Sequence, residues 1–349
     1  MHMADALISP AVGVTLWVVS GGLLAGCARK VQQTLRDDLV PLMGVLGAFI
    51  FAAQMINFSI PGTGSSGHLG GGLLLTVLLG PYAAFLVIAS VLTVQAFFFA
   101  DGGLLALGCN IFNLGFFPAF VAYPLLYRVL ARGQYGTPRA WTAAMVAAIA
   151  GLQLGALSVV LETGASGISE LPFGAFVLMM LPIHLAIGVV EGLATAAVVA
   201  FVARARPEAL PTVPAAGAAV SRRPVLIGLA IAAVVMGGVA SWFASRQPDG
   251  LEWSITRVTG HQDITVSGAP LHRKLAAVQE RTAMLPGYGF PASQAIPAAP
   301  ANTRPAPWPA VSAGTSVAGI VGGLMTLALA GLIGFVLKAR SMQRAHGNG

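Results

Sequence analysis

The run LGGGLLLTVLLG at residues 69–80, followed by YAAFLVIASVLTVQAFFFA at residues 82–100, decides the fold of this chain. A helix needs roughly 20 apolar residues to span the ~30 Å hydrocarbon layer of a membrane, and the second run meets that length. The first run would span only about 18 Å at ~1.5 Å per residue, so it is either a short crossing or a re-entrant hairpin. Whether it crosses sets the side on which every later loop lies.

Composition places the whole chain in the membrane class. Of its 349 residues 56% are apolar and 9% are charged, with a mean hydropathy of +0.81, and no soluble core of this size could bury that much hydrocarbon. We therefore predict an all-α, polytopic protein of the cell membrane, with the lipid bilayer around about nine transmembrane helices. The predicted crossings are residues 11–27, 40–58, 69–80, 82–100, 104–127, 140–161, 173–203, 225–244 and 314–337.

The positions of Lys and Arg give these helices a direction. If all nine segments cross, four groups of cations share one side, which is then the cytoplasm. The groups are Arg29, Lys30 and Arg36; Arg128, Arg132 and Arg139; Arg204, Arg206, Arg222 and Arg223; and Lys338, Arg340 and Arg344. The opposite short loops at 60–68, 101–103 and 162–170 contain no Lys or Arg. The amino terminus is therefore predicted outside and the carboxyl terminus in the cytoplasm, and the net charge of +7 needs no nucleic-acid partner.

Composition also divides the chain into two units. A seven-helix unit at residues 1–204 is followed by a cytoplasmic linker at 205–224 that is rich in Pro and Ala. A two-helix unit at 225–338 encloses an external segment at 245–313, and residues 339–349 form a cytoplasmic tail. The chain has no Walker-type Gly-Lys-Ser/Thr loop, so it is not expected to bind ATP by that route.

The chemistry is predicted at the amino terminus. No basic region precedes the first apolar run, so Met1 is expected to be the mature terminus. The amine of Met1, the amide nitrogen of His2 and the His2 imidazole could then close adjacent chelate rings around one late first-row divalent cation. His68, flanked by glycines and predicted on the same external side, is the candidate for a fourth nitrogen. Two outer histidines taken alone are, however, more often incidental than ligands.

Four amide side chains lie inside predicted helices. Gln54 and Asn57 are three residues apart and are predicted to share a helix face, as are Asn110 and Asn113. Polar groups inside a membrane protein usually point inward toward partners. These side chains therefore either orient the metal ligands from behind or simply bridge helices, and the sequence leaves both roles open.

Charged and imidazole groups elsewhere are given other roles. His184 and Glu191 are seven apart on one face of a predicted helix, where contact with another helix or with a partner subunit, or a gating role, is favoured over metal ligation. Asp101, Glu162 and Glu170 are expected to be solvated loop acids, which would make the outer vestibule negative and concentrate cations there.

Several motifs lie within residues 1–204. They are MHMADALISP at 1–10, QMINF at 54–58, SGHLGG at 66–71, GCNIFN at 108–113, and the stretch from PIH at 182–184 to EG at 191–192. Together they resemble the CbiM/NikM substrate-binding proteins of energy-coupling-factor importers. That family builds a planar site from the terminal amine, the amide and imidazole of the second residue and an internal His. The resemblance thus implies Met1, His2 and His68 as ligands.

The external segment carries an independent motif. QPDGLEW at 247–253 resembles the Pro-Asp-Gly-Leu-Glu signature of the small CbiN/NikN companion subunit, which implies that residues 225–338 are such a module fused to the first. Local sequence alone predicts a turn at Pro248-Asp249-Gly250 and an interfacial anchor at Trp253.

The resemblance implies the substrate-binding membrane component of an ATP-driven importer of nickel or cobalt, with cobalamin biosynthesis as one use of the cobalt. It implies a transmembrane coupling (T) protein and cytoplasmic ATPase subunits as partners. The ion, Ni2+ or Co2+, is then transported substrate, no organic cofactor is expected, and the chain is not itself an enzyme.

Two alternatives stay open. One is a metal-dependent intramembrane enzyme using His68, His184 and Glu191, although a His-Glu-x-x-His motif is lacking. The other is a passive channel or exporter.

Overall fold

The structure is a computed structural model of the chain and describes residues 2–34, 39–169, 171–205, 223–261, 269–291 and 308–347. These residues are mostly helical, with one two-stranded ribbon. Met1, Glu170 and most of the predicted linker lie outside them. The all-α prediction is therefore confirmed in its main feature and misses the ribbon.

The first unit contains seven helices and the ribbon. They are α1 Pro10–Thr34, α2 Leu39–Gln54, β1 Phe58–Ile60, β2 Ser65–Gly67, α3 Gly72–Leu79, α4 Pro81–Phe99, α5 Leu107–Ala131, α6 Pro138–Ser166 and α7 Phe173–Ala205. Helix α5 is π-helical over Phe112–Tyr127, where two prolines interrupt the regular hydrogen bonds. Helices α6 and α7 pack along each other and close one side of the bundle.

The second unit packs against α2. It contains α8 Arg223–Gly238, α9 Gly250–Thr259, α10 Pro270–Thr282 and α11 Ala313–Gly347. Glycines permit the close approach: a Cβ at Gly322 of α11 would lie 2.0 Å from the ring of Phe51, and one at Gly47 would lie 3.1 Å from Thr326. The helices of the two units therefore pack closely against each other.

Six of the described helices are long and apolar enough to cross a membrane: α1, α4, α5, α6, α7 and, over Ala313–Gln343, α11. Helices α2 and α8 are apolar but have only 16 residues each. The protein is thus a multi-pass membrane protein. Nine crossings and their direction stay predictions.

The segment at 69–80 is helical only over Gly72–Leu79, about 12 Å at ~1.5 Å per residue. All eight residues of α3 are buried. Protein therefore surrounds this short helix, which is the setting in which incomplete crossings are tolerated. Gly80 ends α3 with a φ of +80°, and Pro81 begins α4 directly.

The predicted crossing at 40–58 is wrong at its carboxyl end. Helix α2 stops at Gln54, Asn57 is not helical, and Phe58 begins β1. Asn57 therefore does not share a helix face with Gln54. Turn-forming residues explain the difference, because Gly62 and Gly64 adopt positive φ and reverse the chain into a hairpin.

Candidate metal centre

The ribbon places His68. Strand β1 pairs antiparallel with β2 in the register Phe58↔Gly67, Ser59↔Ser66 and Ile60↔Ser65, and His68 follows directly. The neighbouring backbone then turns inward through Gly70 and Gly71 to start α3. His68 consequently stands at the end of the bundle where α2 ends and α3 begins.

The amino-terminal segment is inserted into the bundle beside this loop. The Met3 N–H donates to Asn110 Oδ1 at 2.8 Å, and Asn110 Nδ2 donates back to the Met3 carbonyl at 3.2 Å. The Gly103 N–H also donates to that carbonyl, at 2.9 Å, and the Ala106 N–H donates to Asp5 Oδ1 at 2.9 Å. Met3 is fully buried. These bonds bring His2 to the site, whereas the terminal amine of Met1 lies outside the described residues.

The two predicted imidazoles meet. The rings of His2 and His68 are nearly parallel, with an interplanar angle of 9° and centroids 5.0 Å apart. His2 Nδ1 lies 3.1 Å from Asp101 Oδ1, and His2 Nε2 is buried without a hydrogen-bond partner among the described residues.

His68 is suited to bind a cation. Burial lowers the pKa of His68 to about 3, so its ring is neutral at physiological pH. Its Nδ1 lies 3.1 Å from the Leu69 carbonyl. A proton on Nδ1 that donates to this carbonyl leaves a lone pair on Nε2, the form in which imidazole coordinates metals.

Carboxylates surround the pair. Asp101, Asp249 and Glu252 line a cavity of about 620 Å³ that also reaches His2 and His68. Burial alone would raise the pKa of Asp101, but the neighbouring His2 outweighs it and the pKa lies well below its usual range. Burial opposes ionisation of Asp249 as well, yet the hydrogen bond from the Glu252 N–H contributes to a pKa that is also well below normal. Both side chains are therefore anionic and favour cations in the cavity.

Asp101 lies in a loop, as the sequence predicted, but it is paired rather than freely solvated, and Glu162 is not a loop acid. Asp101 binds His2 with one oxygen and accepts the Tyr288 hydroxyl with the other. Glu162 lies inside α6, which runs five residues beyond the predicted crossing, to Ser166. Its buried carboxylate accepts Asn113 Nδ2 at 2.8 Å and the Ser158 hydroxyl at 3.2 Å, which compensates for its removal from water.

The four amide residues singled out in the sequence each contact a different partner. Asn110 holds the Met3 backbone, and Asn113 binds Glu162. Gln54 Nε2 donates to the Gly70 carbonyl at 2.8 Å. The carbonyl of Asn57 accepts the Ser245 N–H at 2.7 Å from the second unit.

Gln95 was missed by sequence reasoning. Its Nε2 donates to Gln54 Oε1 at 2.7 Å, and it is fully buried in α4. An isolated Gln inside the apolar run at 82–100 was the available signal, because an amide at that depth requires a partner.

His184 and Glu191 lie on the same helix but make different contacts. Glu191 accepts the backbone N–H groups of Gly70 and Gly71 at 2.8 and 3.1 Å, so it contacts the loop that follows His68. His184 Nδ1 lies 2.8 Å from the Met180 carbonyl of its own helix, and its Nε2 is buried without a hydrogen-bond partner among the described residues.

The Pro-Asp-Gly-Leu-Glu segment starts a helix and docks on the ribbon. Asp249 caps α9 by accepting the Leu251 and Glu252 N–H groups, and the Glu252 side chain accepts the Asp249 N–H, which completes a capping box. The Ser66 N–H donates to the Pro248 carbonyl at 2.8 Å. Trp253, predicted as an interfacial anchor, instead donates its Nε1 proton to the carbonyl of a ribbon residue, Thr63, at 3.0 Å.

Among the described residues, no three His, Cys, Asp or Glu side chains converge as a ready metal cage. Two imidazoles approach each other, so any fuller ligand set has to draw on backbone nitrogen or on atoms outside the described residues. Nitrogen-rich sites of this kind suit nickel, copper and related divalent metals rather than calcium or magnesium.

The fold and the site define a multi-pass membrane protein with a partly buried pair of imidazoles at one end of its bundle. Comparison with known families identifies the class further. The model of the CbiM family, the cobalt uptake substrate-specific transmembrane region, matches residues 2–209, and that of the PDGLE domain matches residues 223–339. The chain belongs to the CbiM family, and the resemblance predicted from its motifs is confirmed.

Individual relatives agree with this assignment. A protein of Archaeoglobus fulgidus, whose name describes a fused nickel transport protein NikMN, is 37% identical over 60% of this chain and 68% of its own length. The fused nickel transport protein NikMN of Rhodobacter capsulatus is 34% identical over 60% of this chain and 64% of its own. The crystal structure of a truncated transition metal transporter aligns with a TM-score of 0.52 at 29% identity, covering 59% of this chain and 99% of that one.

Proposed function

We propose that this protein captures nickel or cobalt ions from outside the cell, as the substrate-binding component of an ATP-driven energy-coupling-factor importer. The observation that carries the proposal is the position of His2. A residue next to the amino terminus is drawn into the bundle until its ring lies 5.0 Å from that of His68. Membership of the CbiM family and relatives named for nickel transport support the same substrate class.

The proposed ligands are the Met1 amine, the amide and imidazole of His2, and the imidazole of His68. Within His2, only Nδ1 lies close enough to the residue's own amide to share an ion with it, because Nε2 is on the far side of the ring. Metal capture therefore replaces the contact of Nδ1 with Asp101. The displaced carboxylate then remains beside the ion and offsets part of its positive charge.

The carboxylate-lined cavity is the proposed entrance. It lies between the two units, with His2 and His68 on one wall and Ser245 and Asp249 from the second unit on another. A hydrated cation would be attracted by the anionic Asp101 and Asp249 before it exchanges water for nitrogen. This order places electrostatic attraction before the slower loss of water.

The domain assignment follows from this role. Residues 1–204 form the metal-binding domain and residues 225–338 the companion module, joined by the cytoplasmic linker at 205–224. Residues 245–313 are the external segment, whose described residues Ser245, Asp249 and Tyr288 line the cavity, and residues 339–349 are the cytoplasmic tail. Release of the ion requires work, which a partner T protein and cytoplasmic ATPases would supply. Cobalt taken up in this way could serve cobalamin biosynthesis.

The enzymatic alternative is less well supported by the contacts. It requires His68, His184 and Glu191 to act on one substrate. Both oxygens of Glu191 accept backbone N–H groups, one each from Gly70 and Gly71, so neither oxygen faces the site as a free base. The geometry therefore favours binding over hydrolysis.

The ligand set is tested by isothermal titration of the purified protein with nickel and with cobalt. Adding two alanines before Met1 moves the terminal amine away from His2 without making the histidine the third residue, where it would form a new nickel chelate, and is expected to abolish tight binding. His68→Ala removes one proposed ligand and is expected to weaken binding. His261→Ala changes an exposed histidine and serves as the matched control. Unimpaired binding by the extended protein would show that the amine is not a ligand.

The transport step is tested separately by metal uptake in cells. Inward flux that stops when the partner ATPases are deleted supports an energy-coupled importer. Flux that continues without them would instead indicate a passive channel, whatever the outcome of the titration.

A further inference from the structure

The loop that follows His68 is held by a carboxylate from a membrane-crossing helix. Gly70 donates its N–H to Glu191 Oε2 at 2.8 Å, and Gly71 donates its N–H to Glu191 Oε1 at 3.1 Å. Glu191 lies in α7 and is only 3% exposed. A carboxylate at this depth is costly to bury, and each of its oxygens is satisfied by the backbone of the same loop.

The two glycines are the counterpart of this carboxylate. A Cβ on Gly70 would lie 2.9 Å from Glu191 Oε2, so any larger residue would push the carboxylate away. Gly71 has a φ of +79°, a conformation that favours glycine. Gly70 therefore approaches Glu191 closely because it lacks a side chain, and Gly71 supplies the backbone conformation that a larger residue would strain.

The same loop is held from the other side by an amide. Gln54 Nε2 donates to the Gly70 carbonyl at 2.8 Å, and Gln95 Nε2 donates to Gln54 Oε1 at 2.7 Å. Gly70 is thus bound at its N–H by α7 and at its carbonyl by α2. A residue fixed at both polar groups has little freedom to rotate.

The position of this loop determines that of the imidazole. His68 Nδ1 contacts the Leu69 carbonyl at 3.1 Å, so the ring orientation follows the backbone immediately before Gly70. A shift of the loop would therefore move the ring of His68 away from that of His2.

We propose that Glu191 is the positioning residue of the metal site, holding Gly70 and Gly71 so that the His68 imidazole stands where it can share an ion with His2. The inference rests on the proposed function, because it assumes that His68 is a ligand. Groups behind the ligands of metal sites typically change affinity by about 10- to 100-fold when altered. A loss of that size is expected when Glu191 no longer accepts both N–H groups.

Glu191→Gln is the first test. Glutamine keeps the size of the side chain but offers one oxygen and one NH2 group, so one loop N–H would face a second donor. Nickel affinity is measured by titration, and the number of imidazoles on the bound nickel is counted by X-ray absorption. His68→Ala gives the reference for a lost ligand, and Glu280→Gln, the same exchange at an exposed residue of α10, is the matched control.

The expected result is that Glu191→Gln binds nickel about 10- to 100-fold more weakly and shows one imidazole, like His68→Ala, while Glu280→Gln matches the wild type with two. Two imidazoles at wild-type affinity in Glu191→Gln would overturn the inference. Weaker binding with two imidazoles would also overturn it, because Glu191 would then only stabilise the fold. If wild type and His68→Ala show the same count, the proposed ligand set itself fails, which is visible before the Glu191 variant is considered.

A second variant covers the case in which Glu191→Gln does not fold. Gly70→Ala places a methyl group against the same carboxylate oxygen and is expected to lose the His68 imidazole in the same measurement. Retention of both imidazoles would overturn the inference. Should neither variant fold, hydrogen exchange on the wild type decides: slow exchange of the Gly70 and Gly71 amides supports the contact with Glu191, and exchange at the rate of an open loop refutes it.

Discussion

The cap of helix α9 offers a prediction that separates two roles of one residue. Asp249 Oδ1 accepts the N–H groups of Leu251 and Glu252 at 2.8 and 2.9 Å, and the Glu252 side chain closes the capping box at 3.3 Å. Asp249→Ala removes this cap, which costs about 0.5–2 kcal/mol. At about 1.4 kcal/mol per factor of ten, the first-turn amides of α9 should exchange with solvent about 2- to 30-fold faster.

Asp249→Asn is the matched variant, because Asn caps helices about as well as Asp but carries no charge. Exchange at Leu251 and Glu252 should then stay close to the wild-type rate. Nickel affinity should fall in both variants, since each removes an anion that lines the cavity with His68. The assay is hydrogen exchange by mass spectrometry combined with nickel titration. Unchanged exchange in Asp249→Ala would refute the capping argument, and wild-type affinity in Asp249→Asn would refute the electrostatic one.

Two further predictions concern pH and packing. Nickel affinity should fall at least about tenfold per pH unit below the terminal amine pKa of ~7.7–8.0, because the amine must lose its proton to bind. His68, with a pKa of about 3, stays neutral and adds no proton over this range. A dissociation constant that does not change with pH in titrations would exclude an amine ligand. Gly322→Ala should destabilise the contact of α2 with α11 by about 1–3 kcal/mol, because its Cβ would lie 2.0 Å from the ring of Phe51. Thermal unfolding in detergent measures this loss. Gly331→Ala, which has open space around its Cβ, is the control and is expected to match the wild type.

The approach of His2 to His68 was anticipated from sequence mainly through the family resemblance, because the residues taken alone favoured two incidental histidines. A histidine next to the terminal amine is an unusual chelating group, and a glycine-flanked histidine on the same predicted side is the natural partner. Hydropathy also located the long helices, since a run of about 20 apolar residues has few other uses. Features that depend on residue type and spacing could thus be predicted from the sequence.

Contacts between side chains and backbone groups could not be predicted from the sequence. Glu191 binds the N–H groups of two glycines, which leave no complementary charge in the sequence for pattern reasoning to find. Glu162 was assigned to a loop because a carboxylate ended an apolar run, yet Asn113 supplies the hydrogen bond that lets α6 continue past it. Tertiary partners of this kind override the local signal.

The two imidazoles are held through different parts of the molecule. His2 contacts Asp101, whose second oxygen accepts the hydroxyl of Tyr288 from the external segment of the second unit. The loop of His68 is held by Glu191 from α7. A ligand pair on one rigid helix keeps its spacing whatever its neighbours do. Here the 5.0 Å spacing of the ring centroids depends on how the amino-terminal segment, held by Asn110 of α5, sits relative to the loop held by α7, so a movement of either would separate the rings.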